Sequence, residues 1–167
     1  MLNFIFPFLL CVSFLTGAAQ TDNMKTVTKN GMSVSWRLSG DKLIVRMSAP
    51  TAGWVAVGLN TTAGLSATNL IMGSVADGAP SLSDRYIVKP GEHRGMAALG
   101  GRPAALLIAA AEDASGTVIE FSLPVHPQDA FHHRLLAGEP YHLLLAYSRD
   151  DDFAHHSMMR TSVTISL

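Results

Sequence analysis

The sequence predicts an all-β chain: an antiparallel, immunoglobulin-like β-sandwich of about 9–11 strands. Three observations carry the expectation. Short runs of apolar residues alternate with polar ones at period two, as in Met32–Ser39 and Thr117–Leu123. Turn pairs such as Gly40-Asp41, Asp77-Gly78 and Pro90-Gly91 separate them. No stretch carries the longer period of an extended amphipathic helix.

The chain has 167 residues, 48% of them hydrophobic and 15% charged. That length fits one domain able to bury roughly two-thirds of its unfolded surface. With 12 basic against 13 acidic side chains, nothing favours nucleic acid or an anionic membrane as partner. The 14 glycines and 8 prolines are scattered, which reads as turns and not as a disordered tail.

Residues 1–19 are uncharged, mostly apolar and close with Gly17, Ala18 and Ala19. They read as a signal peptide cleaved near Ala19, which leaves residues 20–167 as a single secreted or periplasmic domain. The run is short for a membrane span and Asn3 and Pro7 interrupt it, so no span is expected in the mature chain. The one cysteine, Cys11, lies inside this segment. The mature chain then has no thiol, and its core must hold it without a disulfide.

Met32–Ser39 sets Val34, Trp36 and Leu38 on one face, the pattern of a half-buried strand. Gly40-Asp41 turns it into Lys42–Ala49, which Pro50 ends. Trp54–Leu59 and Asn69–Ala76 are continuous apolar runs, and read as two buried strands joined by the small, polar loop Asn60–Thr68. That loop includes the N-glycosylation sequon Asn60-Thr61-Thr62. Ser83–Val88 follows as a short strand. Glu92–Pro103, with three glycines and no period, reads as a loop. Ala105–Ala111 and Thr117–Leu123 form a hairpin. Pro124–Gly138 is irregular, with one helical turn expected near Asp129–Leu135. Tyr141–Ser148 and Thr161–Leu167 are the last two strands.

The order of these pieces resembles the DOMON domain family, extracytoplasmic sandwiches attached to copper monooxygenases and to some haem-containing oxidoreductases. The matching residues are Gly53-Trp54-Val55-Ala56-Val57-Gly58, Ala67–Gly73 leading to Asp77-Gly78, and Ser83-Asp84-Arg85-Tyr86. Ile119-Glu120-Phe121 and the tail Ala146-Tyr147, Asp151-Asp152-Phe153 and His156 complete them. The resemblance covers most of residues 32–167. It implies a module that binds b-type haem for electron transfer to a redox partner protein, or a haem-free module that recognises carbohydrate or protein. It implies no catalysis by the module alone.

In haem-binding members a Met in the loop before the second central strand and a His before the final strand hold the iron. Carried across, the His falls on His156, with His155 as neighbour, and the Met position is filled by Leu65; Asn69 stands where the pattern has Asp. Met72 and Met158 are the nearest other thioethers. Met72 reads as core or sheet face, far from the loop tip. In an extended segment Met158 and His156 share a face about 6.5 Å apart, so both cannot approach one iron from opposite sides. Met159 and Met96 are the other thioethers that geometry allows, and five-coordinate haem or a bis-His pairing of His156 with His93 or His133 are the alternatives.

Asp150-Asp151-Asp152 followed by His155-His156 is either a ligand-bearing segment or a solvated loop. A copper or zinc site built from histidines is a third possibility. His126, His132 and His133 read as surface histidines, and His142 as a sheet-face residue. Asp152, His156 and Ser157 have the residue types of a hydrolytic triad, but triads converge from separate elements. Trp36 and Trp54 read as core anchors of the two sheets.

Overall fold

A computed structural model describes residues 23–167. The expected signal peptide therefore lies outside the described residues. Among the described residues eleven strands form two antiparallel sheets. The five-stranded sheet has the order β1-β2-β3-β9-β8, from β1 (Lys25–Lys29), β2 (Met32–Ser39), β3 (Lys42–Ala49), β8 (Leu106–Asp113) and β9 (Gly116–Pro124). The six-stranded sheet has the order β11-β10-β4-β5-β6-β7, from β4 (Val55–Asn60), β5 (Thr68–Ala76), β6 (Ala79–Lys89), β7 (Glu92–Gly95), β10 (Pro140–Tyr147) and β11 (Met159–Ser166). No helix among the described residues is long and apolar enough to cross a membrane.

The alternating strands pack as their period dictates. Val34 and Trp36 of β2, Leu43, Val45 and Met47 of β3, and Ile119, Phe121 and Leu123 of β9 meet Val55, Val57, Leu59, Ile71, Leu143 and Leu145 of the other sheet in one buried cluster. Each such side chain contributes about 1.5–3 kcal/mol on burial. Asp77 and Gly78 turn β5 into β6 with φ of 50° and 77°, the paired positive values of a tight two-residue hairpin.

β4 departs from alternation, since all six of its residues are buried. Period two places Val55, Val57 and Leu59 toward the sandwich core and Ala56 and Gly58 on the outer face. A second buried cluster covers that outer face: Trp54, Ala56, Leu70, Met72, Ile87, Leu144 and Ala146, with Leu65 and Phe153 packed on it. The six-stranded sheet is thus apolar on both sides, with loops in place of a third layer.

Three expectations are corrected. Glu92–Pro103 is not all loop: it holds β7 and a 3-10 turn, Met96–Leu99. No helical turn forms near Asp129–Leu135; Leu135 N–H bonds to the Val125 carbonyl at 2.9 Å and pulls that stretch along the sheet end instead. Trp36 anchors the central core, whereas Trp54 belongs to the outer-face cluster.

Candidate functional site

Between the outer face of the six-stranded sheet and the loops above it lies an open cavity with about 820 Å³ free of protein atoms. Its floor is built by register. Ala56 pairs with Met72 on one side and with Ala146 on the other, so two alanines leave a depression in mid-sheet. Trp54, Leu70, Ile87 and Leu144 complete the apolar lining. The walls are Leu65, the β6–β7 turn with Gly91, Glu92 and His93, and the segment Ala154–Ser157 with His155 and His156. Arg160 closes the β11 end.

Two loops are held in place to make these walls. Asn60, buried at the end of β4, donates its side-chain amide to the carbonyls of Gly64 and Ser66 and to the Thr68 hydroxyl, each at 2.9 Å. Those bonds curl residues 60–68 back over the sheet and bring Leu65 to the cavity. Ala67 adopts a left-handed φ of 64°, fixed because its N–H bonds to Ile87 O at 2.9 Å and its carbonyl accepts from the His133 ring at 2.8 Å.

The other loop, residues 149–158, is rooted beside Gly53. Trp54 N–H bonds to Asp150 O and Ser148 N–H to Trp54 O, both at 3.0 Å, and a Cβ on Gly53 would run into the backbone of Arg149 and Asp150. Only glycine permits this approach. Beyond it, Asp152 accepts from His155 N–H at 2.9 Å, so the segment turns and is not extended. Beyond that turn Met158 N–H bonds to Tyr147 O at 2.9 Å, and its side chain is 48% exposed and absent from the cavity lining.

Of the residues expected to form a site, His156, His155, Leu65 and Met72 line this one cavity. Met72 is on its floor and not remote from Leu65, because the curled loop folds over the strand. The His156 ring makes no hydrogen bond among the described residues; only its backbone carbonyl does, to Ser148 Oγ at 3.1 Å. His155 Nδ1 stands 3.7 Å from Asp150 with both side chains largely exposed. Met96 and Met159 pack elsewhere and do not line the cavity. His142 faces a smaller adjoining hollow that shares Leu65, Leu144 and Arg160 with the main cavity. Among the described residues no three His, Cys, Asp or Glu side chains are grouped to hold a bare metal ion.

One feature of the lining went unread in the sequence. Among the described residues the Trp54 indole N–H is buried without a partner, a costly state in a core but a useful one in a binding site. His93, which β7 brings beside Ile87, adds a third imidazole. Burial and then the neighbouring Arg85 charge hold His93 below the ordinary histidine range, so it is neutral near pH 7.

On the sheet's inner side, His132 is not a surface histidine. Its ring is 4% exposed, with Nε2 2.9 Å from Asp84 and Nδ1 2.7 Å from Asp129. Burial pulls its pKa down, but the bonds and charges of Asp84 and Asp129 outweigh it and leave the value raised. Carboxylates accept only, so both ring nitrogens donate as an imidazolium. Asp84 also accepts from Asn69 at 2.8 Å and from the N–H groups of Ala104 and Ala105 at 2.7 and 3.0 Å. Asn69 thus partners a buried carboxylate on β6. Both ring nitrogens of His132 being taken, this cluster offers no donor to a ligand.

The DOMON domain profile matches residues 28–148. The chain is 30% identical over 116 residues to DBH-like monooxygenase protein 1 of Mus musculus, covering 70% of this chain and 18% of that protein. It is 25% identical over 152 residues to the Homo sapiens protein of the same name, covering 87% of this chain and 24% of that one. It therefore spans less than a quarter of the length of these relatives. Two solved structures share the fold. The cytochrome b domain of pyranose dehydrogenase from Coprinopsis cinerea superposes with a TM-score of 0.60 at 12% identity, covering 81% of this chain and 76% of that one. The cytochrome domain of Myriococcum thermophilum cellobiose dehydrogenase gives 0.61 at 10% identity, covering 86% and 81%. Sandwich, register and profile agree that the chain belongs to the DOMON domain family.

Proposed function

We propose that this domain binds b-type haem in the outer-face cavity and serves as an extracytoplasmic electron-transfer module, passing electrons to a redox partner protein and catalysing nothing alone. The observation that carries the reading is the cavity itself. An apolar floor with two alanines at its centre lies under a wall bearing the uncommitted His156 ring, and the lining holds an orphaned indole N–H. Such a lining suits a flat, largely hydrocarbon ligand that has a few polar groups.

His156 is the residue assigned to hold the iron, with His155 its neighbour on the same turn. Trp54, Leu70, Met72 and Leu144 would exclude water from one face of the ligand, and Met72 is the thioether within that lining. Bound there, haem would supply one-electron redox chemistry, at a potential tuned by ligand identity and burial. The two solved neighbours are named as cytochrome domains, which supports the reading.

The test is the absorption spectrum of the purified domain titrated with hemin. A Soret band that saturates at one equivalent, and that His156→Ala abolishes or shifts, is the expected result. An unaltered free-hemin spectrum defeats the proposal; a band unaffected by His156→Ala moves the ligand elsewhere.

Leu65 favours a second reading, since it puts hydrocarbon where the haem-binding pattern has a thioether. On that reading the domain recognises carbohydrate or protein through the same loops. Glycan-array binding that is lost on mutating residues 60–68, with no hemin bound, would establish it.

A further inference from the structure

His93 has a hydrogen-bonding state that the surrounding side chains dictate. Arg85 donates its Nε–H to His93 Nδ1 at 2.8 Å, and arginine can only donate. Nδ1 must therefore present its lone pair, so the neutral ring carries its proton on Nε2. Nε2 makes no hydrogen bond among the described residues, while the side chain lines the cavity. Arg85 is itself steadied by Ser83 Oγ at 3.4 Å, one step down β6. The one carboxylate in the lining, Glu92, is taken up by Arg94 and Lys89. The β6–β7 end of the cavity thus offers a fixed N–H donor, backed by a guanidinium, that no acceptor among the described residues receives.

Resting on the haem reading above, we propose that His93 is a hydrogen-bond donor to a carboxylate of the bound ligand, and not an iron ligand, so that the ligand lies with its carboxylate edge toward the β6–β7 turn. An imidazole can bind iron through Nε2 only by giving up that proton, which would set Nδ1–H against the Arg85 N–H. A carboxylate on Nε2 keeps every donor matched to an acceptor and brings a negative charge toward Arg85. The alternative cation in the lining, Arg160, stands at the β11 end, across the full width of the sheet from His93.

Metal-free protoporphyrin IX and its dimethyl ester test this without iron, read by quenching of tryptophan fluorescence. The wild-type chain should bind the free acid about tenfold more tightly than the ester, the worth of one charge-assisted hydrogen bond. His93→Leu should erase that preference, His93→Gln, which keeps an N–H donor, should retain part of it, and Arg160→Leu should leave it intact. In parallel, the hemin complex of His93→Leu should keep the wild-type spin-state bands. Equal binding of acid and ester by the wild type, loss of the preference in Arg160→Leu but not His93→Leu, or loss of the low-spin bands in His93→Leu overturns the assignment while leaving a porphyrin site. Binding of neither porphyrin nor hemin overturns the haem reading and this inference with it.

Discussion

Two regions of the six-stranded sheet use the same residue types to opposite ends. On its inner face, Asp84, His132, Asp129 and Asn69 saturate one another: His132 meets a carboxylate at each nitrogen, and Asp84 receives two backbone N–H groups besides. On its outer face His156, His93 and Trp54 hold groups that no side chain among the described residues uses. Chemistry of the side chain does not separate the two. Completeness of partners does: a closed network stabilises, and an open one is available to a ligand.

The comparison breaks most visibly at Asp84. Asp84→Ala leaves His132, Asn69 and two backbone donors without an acceptor in a buried position. The loss should reach about 3–5 kcal/mol in urea unfolding. A change below about 1 kcal/mol would mean water or another group already serves those donors.

Gly53→Ala should come next. Its Cβ presses on the Arg149 and Asp150 backbone, which cannot rotate aside, so about 1–3 kcal/mol should be lost. Because the strain falls at the root of the loop bearing His155 and His156, hemin binding should weaken as well. If stability falls and binding does not, the loop is placed by something other than this close approach.

The pH dependence sharpens the contrast. The folded pKa of His132 is raised, so its stabilising contribution is complete below the unfolded value of about 6.5 and is lost as pH rises through the folded value. Burial raises Asp129, but bonds from the Phe131 N–H and from His132 leave it lowered. Its contribution is present above about pH 3.9 and is lost as pH falls through the folded value. The stability difference between wild type and His132→Gln should therefore peak between about pH 4 and 6.5 and shrink above it. His93, held low by burial and Arg85, runs the other way: protonating it on acidification should cost stability.

The smallest effects belong to the outer face. Ala146→Leu projects into open space, and should change stability by no more than about 1 kcal/mol while blocking hemin. His155→Ala, with its ring exposed, should stay within about 0.5 kcal/mol.

Much of the fold was legible because local pattern and burial agree. β2 alternates and is buried on one face, and β3 does so except at Ile44, which is buried on the other. The runs around Ala56 and Met72 are continuous because both faces are covered, and that continuity was the signal of something lying on the outer side. β7 was missed because its four residues, Glu92–Gly95, are too few to show a period and end in glycine. β1 was missed because it is exposed at four of its five positions and lacks an apolar face to alternate. The Asp84–His132 pair joins residues 48 apart, and no spacing rule reports such a contact. Likewise, the meeting of Leu65 and Met72 in one lining depends on the curl that Asn60 imposes, a tertiary event that strand arithmetic leaves out.

Asn60 carries a consequence for production of the protein. Its amide nitrogen is the atom an oligosaccharide would be attached to, and in the folded domain that atom is 2.9 Å from three acceptors and shut away from solvent. Sugar transfer and closure of the loop are therefore mutually exclusive at this sequon. In a host with N-linked glycosylation machinery, a chain modified before it folds would be locked out of the native loop, whereas a host without that machinery would yield one homogeneous species.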